Sequence, residues 1–406
     1  MAETFAYKVK DRAGRLVEGK LEADSQQLVV GKLRSMGYVP IEIEQQGSAS
    51  LGRDVTIPFL ANRVKLKDVA VFSRQFATMI NSGLTLLRAL AILAEQSESR
   101  ALADIAGQVR ADVERGASLS AALAKHPKVF NRLYVSMVKS GEIGGVLDSV
   151  LLRLADTIEK QVELRRKIKS AMTYPAVVGA LVLLIVTAML LFIIPMFENL
   201  YNELGGTLPP PTRVLLAISS VFRSLWYVVL GVEIGGVFAF RKWISTDEGR
   251  RTWDSMKLKA PVFGKLVQKA ALARFSRTLS ALVRSGVPIL EALDIVADTA
   301  GNHVVATAVR DTQEGVKQGE PIAARLENHD VFPPMVVQMM AVGEETGALD
   351  EMLDRIADFY DQEVEATVNA LTSLIEPLLI VVMGIAVGGM VIALYLPMFN
   401  IIKLIQ

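Results

Sequence analysis

Two stretches of this chain repeat each other: FSRQFATMINSGLTLLRALAIL at residues 72–93 and FSRTLSALVRSGVPILEALDIV at residues 275–296. Identical residues recur 203 positions apart, namely Phe72/Phe275, Ser73/Ser276, Arg74/Arg277, Gly83/Gly286, Ala89/Ala292 and Leu90/Leu293. One residue is then lost, and further pairs follow 202 positions apart, namely Gly141/Gly343, Glu142/Glu344, Gly145/Gly347, Leu147/Leu349, Asp148/Asp350 and Pro175/Pro377. A duplicated ancestral unit explains such a series, so the sequence predicts one architecture built twice.

Each copy is a polar, helix-patterned block that leads into an apolar run. Val69, Phe72, Phe76 and Ile80 recur at spacings of three and four residues, which predicts an amphipathic helix with one buried stripe. Gly83 and Gly286 suit the turn after such a helix. Strand-like alternation is scarce in both blocks. We therefore predict two cytoplasmic bundles, 67–170 and 241–372, each of five or six helices.

Three apolar segments predict membrane spans. Val177–Ile194 has 18 residues without a charge, and Pro377–Leu396 has 20, so both are long enough to cross a bilayer core. Both end in the letters PMF, at Pro195 and Pro397. The middle segment, about 213–240, is weaker because Arg223 and Glu233 interrupt it. We expect PMF to mark the outer end of two equivalent helices, where a proline is tolerated.

The charges around these segments predict their orientation. Basic residues precede the first span, at 165–169, and follow the middle one, at 241–259, whereas the intervening 198–212 contains no lysine or arginine. The positive-inside rule then places both bundles in the cytoplasm, and the middle helix must bring the chain back. The predicted fold is mainly α and integral to the membrane: a module at 1–47, a linker at 48–66, bundles at 67–170 and 241–372, spans at 171–197, 213–240 and 373–400, a periplasmic loop at 198–212 and a short periplasmic tail at 401–406.

The first 47 residues follow a different pattern. TFAYKVKD and RLVEGKLEAD read as strands around a turn, SQQLVVGKLRSMG as a helix with Ser25 as its N-cap, and YVPIEIEQ as another strand. This predicts a small ββαβ, or α+β, module. The opening residues lack the apolar core of a secretory signal, so we expect a cytoplasmic N-terminus.

Composition and motifs argue against an enzyme. The net charge of +1 gives no reason to expect nucleic acid, and a chain without cysteine has no thiolate chemistry. No phosphate-binding loop of the type G-x-x-x-x-G-K-[ST] occurs. The three histidines are too dispersed to suggest a metal site. We therefore expect no catalytic residues and no cofactor, and any energy must come from a partner.

The duplicated blocks, with SGEIGGVLD and VGEETGALD, the entries SAMTYP and SLIEP, and the PMF exits, resemble the type II secretion F/type IV pilus platform family, most of all its PilC pilus branch. The resemblance implies a multi-pass protein of the bacterial inner membrane that couples a cytoplasmic hexameric ATPase to insertion or removal of pilin helices. It also implies other inner-membrane alignment proteins as partners and a homodimer or higher homo-oligomer. The alternative within the family is a secretion platform that drives a pseudopilus for protein export.

Four glutamates are candidate contacts for partners. Glu142 and Glu344 follow glycine in matching turns, and they either favour a helix dipole or contact the ATPase or another subunit. Glu233 lies about eight residues, or roughly 12 Å of helix, from the basic edge of the middle span. It is either a neutral acid bonded to a neighbouring helix or a contact to pilin or a second subunit. Glu376 replaces the tyrosine of TYP at the mouth of the third span.

Glycines four residues apart are candidates for close helix packing. Gly231 and Gly235 lie in the middle span, and Gly384, Gly388 and Gly389 lie in the third. Such spacing lets helix backbones approach, between spans or between subunits. A transporter is a rival reading because parallel repeats occur in transporters. Three spans and a largely cytoplasmic mass argue against it.

Overall fold

The structure is a computed structural model, and it describes residues 3–10, 16–23, 26–35, 37–46, 64–196, 210–224, 226–261 and 263–404. The chain divides into two units, Met1–Arg63 and Val64–Gln406. Most of the predicted linker at 48–66 lies outside the described residues. Both predicted bundles fall in the second unit.

The first unit contains three strands and one helix. In chain order these are β1 (Glu3–Lys10), β2 (Leu16–Ala23), α1 (Gln26–Ser35) and β3 (Val39–Gln46). The sheet has the order β2-β1-β3, and β1 is antiparallel to both neighbours. A small core of Val9, Val29 and Leu33 joins the sheet to the helix.

Six helices make up the first repeat, and six more make up the second. The first six are α2 (Leu66–Asn81), α3 (Leu86–Gln96), α4 (Arg100–Glu114), α5 (Leu119–Ala124), α6 (Arg132–Gly144) and α7 (Leu147–Ala188). Their counterparts are α11 (Phe263–Arg284), α12 (Ile289–Thr299), α13 (His303–Lys317), α14 (Ile322–Leu326), α15 (Pro334–Thr346) and α16 (Leu349–Leu404). The helices therefore correspond one to one along the two copies.

In the described part of the connection between the repeats lie three helices: α8 (Pro210–Ser224), α9 (Trp226–Ile244) and α10 (Asp247–Lys259). The predicted middle span, 213–240, falls on α8 and α9. Apolar side chains on α9 are largely exposed, with Val232 at 69% and Phe238 at 72%. The side chain of Glu233 lies outside the described residues.

One apolar core runs through both bundles. Phe72, Phe76, Phe130 and Tyr134 form its aromatic centre in the first repeat, with ring centroids 4.8–5.9 Å apart along the series. Phe275 and Phe332 meet edge to face at 5.0 Å in the second. Burying each such ring contributes about 1.5–3 kcal/mol, so these positions anchor the bundles.

Two helices of the described part are long and apolar enough to cross a membrane. One runs through Leu147–Met196 and the other through Leu349–Gly389. Their apolar side chains are exposed: Leu183 at 68% and Ile385 at 70% are examples. Each of these helices begins in a bundle and continues unbroken into its apolar part.

A π turn, Met189–Ile193, ends two residues before Pro195. Proline has no N–H to bond the carbonyl four residues earlier, and a wider turn accommodates that loss. The hydroxyl of Ser219 on α8 donates to the carbonyl of Leu190 at 2.5 Å and so stabilises the irregular turn. The π turn that lies before Pro195 thus contacts α8.

Candidate functional site

The two GE motifs, defined as residues 140–148 and 342–350, each join three helices. The first glycine of each motif lies where two helices meet closely. A Cβ on Gly141 would lie 3.2 Å from the Cα of Leu147, and one on Gly343 would lie 2.9 Å from the Cα of Leu349. A side chain at Gly343 would force the backbone of α16 to shift, and one at Gly141 would crowd the start of α7, so glycine suits both positions.

The glutamate of each motif caps a neighbouring short helix. Glu142 accepts hydrogen bonds from the backbone N–H of Leu119 at 2.5 Å and of Ser120 at 3.0 Å. These are the first free amides of α5, where a carboxylate is favoured by the helix dipole.

Glu344 does the same for α14, accepting from Ile322 at 2.7 Å and Ala323 at 2.9 Å. The sequence predicted turns at these glutamates, but Glu142 lies inside α6 and Glu344 inside α15. The structure therefore places each charge at the start of a different helix from the one that carries it.

The last glycine of each motif ends its helix. Gly145 has φ 66° and Gly347 has φ 70°, a left-handed conformation in which glycine is favoured. The next helix, α7 or α16, starts two residues later. The GE motifs thus hold α5, α6 and α7, or their counterparts, against one another, and we call them the GE brackets.

In each repeat an arginine of the first helix binds acidic residues of the last helix, and we call these contacts the arginine clamps. Arg74 on α2 donates to Glu159 on α7 at 2.6–2.8 Å and also bonds Asp156. Its counterpart Arg277 binds Asp361 at 2.5 Å and Asp358 at 3.0 Å. The hydrogen bond from Arg74 lowers the pKa of Glu159. Both copies therefore tie their first helix to the helix that continues into the membrane.

One buried hydrogen bond of the first repeat has no equivalent in the described part of the second. The hydroxyl of Ser73 donates to that of Tyr134 at 3.2 Å, and burial raises the pKa of this tyrosine. The counterpart of Tyr134 is Val336, and the hydroxyl of Ser276 is buried without a partner in the described part of the chain.

The two bundles contact each other through different faces. Arg132 on α6 pairs with Asp294 on α12 at 2.7 Å and also with Asp298. The hydroxyl of Ser140 donates to the carbonyl of Ser285 at 2.5 Å.

Two further contacts hold the bundles together along α7. Arg153 donates to the carbonyl of Arg284 at 2.5 Å. Nearer the membrane, Lys167 on α7 pairs with Glu365 on α16 at 2.7 Å. No sequence pattern predicts these contacts, because they join non-equivalent positions of the repeat.

The remaining predicted residues lie along the membrane-directed helices. Glu376 is exposed on α16, next to Pro377. A Cβ added at any of the five candidate glycines would meet no atom within 4 Å; they are Gly231, Gly235, Gly384, Gly388 and Gly389. They therefore pack against no helix of the described part of this chain. Among the described residues, no group of three or more acidic, histidine or cysteine side chains could hold a metal.

Comparisons with known proteins agree with this architecture. A family model described as type II secretion system protein F matches residues 72–195 and 275–397, and a model of the N-terminal domain of the same protein matches 1–44. Type IV pilus assembly protein PilC of Thermus thermophilus is 48% identical over 98% of both chains. The protein of that name from Myxococcus xanthus is 42% identical over 99% of this chain and 96% of its own.

Proteins of the secretion branch are also similar. Type II secretion system protein F of Aeromonas hydrophila is 34% identical over 95% of this chain and 99% of its own. The paired family matches fall on the two repeats and confirm the duplication.

Proposed function

Because this chain belongs to the type II secretion system protein F family, we propose that it is the inner-membrane platform protein of type IV pilus assembly. The proposal rests on the continuity of two helices, each of which begins in a bundle and continues into an apolar segment long enough to cross a membrane. The helix α7 has 42 residues and α16 has 56, about 63 Å and 84 Å at 1.5 Å per residue. The clamps at Arg74 and Arg277 tie each helix to its bundle.

The coupling proposed is mechanical. A cytoplasmic hexameric ATPase moves the two bundles, and α7 and α16 carry that displacement to pilin helices in the bilayer. The brackets and clamps support this because they make each bundle and its long helix one body. Glu233 and Glu376 are the proposed contacts in or near the membrane. Glu142 and Glu344 have their carboxylates engaged in capping, which favours a structural role for both.

Three spans fit the charge distribution. The basic residues at 165–169 and 241–259 support a cytoplasmic position for both bundles, with α8 and α9 returning the chain across the membrane. The cysteine-free chain suits a direct test. Ala121→Cys and Ala324→Cys are exposed, equivalent positions on α5 and α14, and Asn202→Cys is the periplasmic control. We expect an impermeant maleimide to label only the control in intact cells. Labelling of one alanine position but not the other would contradict the topology.

We also propose that copies of the chain associate through the faces that the internal contact leaves open. Ile295 is fully buried, but its counterpart Ile92 is half-buried; Met137 is fully buried, but its counterpart Met339 is half-buried. Head-to-tail contact between repeats always leaves one such face open at each end. A second copy of the chain carries the complementary face and would cover the open one.

A crosslinking pair tests this contact. Ser140 and Ser285 touch inside the chain, and their counterparts Val342 and Ser82 are exposed. We expect Ser82→Cys/Val342→Cys to form disulfide-linked oligomers in membranes. Ser140→Cys/Ser285→Cys is the control and crosslinks within one chain. If only the control pair crosslinks, copies do not associate in this way.

Deletion and complementation separate the pilus function from the secretion alternative. The higher identity to pilus assembly proteins, 48% and 42% against 34%, favours the pilus. We expect a deletion strain to lose surface fibres and to regain them with this chain. Intact fibres with loss of exported enzymes would support the secretion alternative instead.

A further inference from the structure

A cavity of about 950 Å³ opens between α7, α11 and α16. Five basic side chains line it: Lys160, Arg165, Lys169, Arg274 and Arg277. We call this cavity the basic cleft. Its wall on α7 reaches Met172, three residues before Pro175 and the apolar part of the helix.

The acidic groups of the basic cleft are engaged by cations. Asp361 pairs with Arg277 at 2.5 Å; burial raises the pKa of this carboxyl, and the charges of Arg277 and Lys160 oppose the rise. Asp298 pairs with Arg310 at 3.0 Å and also with Arg132. These acidic groups therefore leave the remaining cations of the cleft without an acidic partner.

Three cations remain: Arg165, Lys169 and Arg274. None of their side chains has an ion pair or hydrogen bond within the described part of the chain. Arg274 is half-buried, and its pKa is lowered by burial and further by the charge of Arg165. Like charges gathered in a partly desolvated cavity repel one another unless an anion joins them.

The duplication shows that the repeat fold does not need these charges. The counterparts of Arg165, Lys169 and Arg274 are Thr367, Leu371 and Val71. Both copies keep the clamp arginines, by contrast, together with their acidic partners. These three cations thus occur only where α7 meets the second repeat, and the equivalent positions of the other copy do not carry them.

We propose that the basic cleft binds a phosphate group, presented by an anionic phospholipid or by a soluble phosphate-bearing molecule. Arginine pairs bidentately with phosphate oxygens, and lysine adds a point charge. The lipid source is favoured by the position of the cleft. Leu164 and Ile168 pack in the protein core, but Met172 is exposed at the end of the cleft, beside the apolar part of α7.

This proposal does not depend on the assignment to pilus assembly. The test uses the full chain in nanodiscs of phosphatidylcholine with increasing phosphatidylglycerol, and native mass spectrometry counts the retained anionic lipid. The variant is Arg165→Gln/Lys169→Gln, in which both changed side chains are exposed. The matched control is Arg166→Gln/Lys265→Gln, two exposed cations that do not line the cleft.

We expect the cleft variant to bind phosphatidylglycerol roughly 25-fold more weakly, about 5-fold for each lost charge, and the control variant to bind it like the wild type. A second arm adds inorganic pyrophosphate to the chain in phosphatidylcholine and measures binding by the same method. If the cleft variant loses binding of pyrophosphate but not of phosphatidylglycerol, the site is assigned to a soluble phosphate. Equal binding by the cleft and control variants in both arms overturns the proposal.

Arg274→Gln extends the test into the cleft. It changes the most enclosed cation, so its folding is checked by protease resistance before binding is measured. A folded variant that binds both probes as the wild type does would also overturn the proposal, because Arg274 would then have no anionic ligand.

Discussion

The cap that Glu142 provides to α5 predicts a local effect of a small substitution. Glu142→Gln keeps the size of the side chain but removes its charge. One amide oxygen can still accept from Leu119 or Ser120, while the NH₂ group faces a donor. We expect the first turn of α5 to open more often, with the rest of the bundle unchanged.

The size of the effect follows from the contacts. The carboxylate accepts from two backbone amides, at 2.5 Å and 3.0 Å. A hydrogen bond to a charged group contributes about 1.5–3 kcal/mol, and the loss of one leaves a half-buried donor poorly satisfied. Since about 1.4 kcal/mol is a factor of ten, local exchange of these amides should be roughly 10- to 100-fold faster.

Hydrogen exchange with mass spectrometry on the full chain in nanodiscs measures this directly. Peptides covering 117–124 report on α5, and peptides covering 320–327 report on α14. Glu344→Gln is the matched control, because it should affect only the second set. Unchanged exchange in the first set for Glu142→Gln would refute the capping role. Equal acceleration in both sets would show a global effect instead.

Three further substitutions are expected to change stability, each measured by thermal unfolding in detergent. Ser73→Ala should cost about 0.5–1.5 kcal/mol, whereas Ser276→Ala should cost nothing because its hydroxyl has no partner in the described structure; equal costs would contradict this. Gly343→Ala should cost about 1–3 kcal/mol, since its Cβ would lie 2.9 Å from the Cα of Leu349, and an unchanged midpoint would refute that approach. Arg74→Met should destabilise at pH 7, but less as the pH falls. Arg74 holds the pKa of Glu159 below its ordinary 4.5, so their pairing stabilises above that pH and is lost as the pH falls through the lowered pKa; a pH-independent difference would contradict this.

The sequence predicted the features that come from repetition and periodicity. The spacing of Phe72 and Phe76 predicts a helix, and both rings are buried on α2. Gly83 and Gly286 were predicted to follow helices, and both have positive φ, 86° and 75°. Such features depend on neighbours within one turn, which a single sequence displays directly.

The features that the sequence did not predict are contacts between distant segments. The position of Glu142 inside α6 was missed because glycine on either side suggested a turn. Its partners are 22 and 23 residues away, and no local pattern reports them. The acidic partners of the clamps could have been found, because Asp156 and Asp358 are equivalent positions that repeat with Arg74 and Arg277.

Divergence between the repeats follows the surroundings of each position. Where both copies make the same contact, as in the GE brackets, the residues are kept. Where a contact joins the two bundles, some counterparts have changed: Arg132 corresponds to Pro334, and Asp294 to Ala91. Others are the same residue in both copies: Arg153 corresponds to Arg355, which binds Glu351 instead. In a head-to-tail contact each face is used once inside the chain and left open once, so equivalent residues of the two copies have different neighbours and are free to diverge.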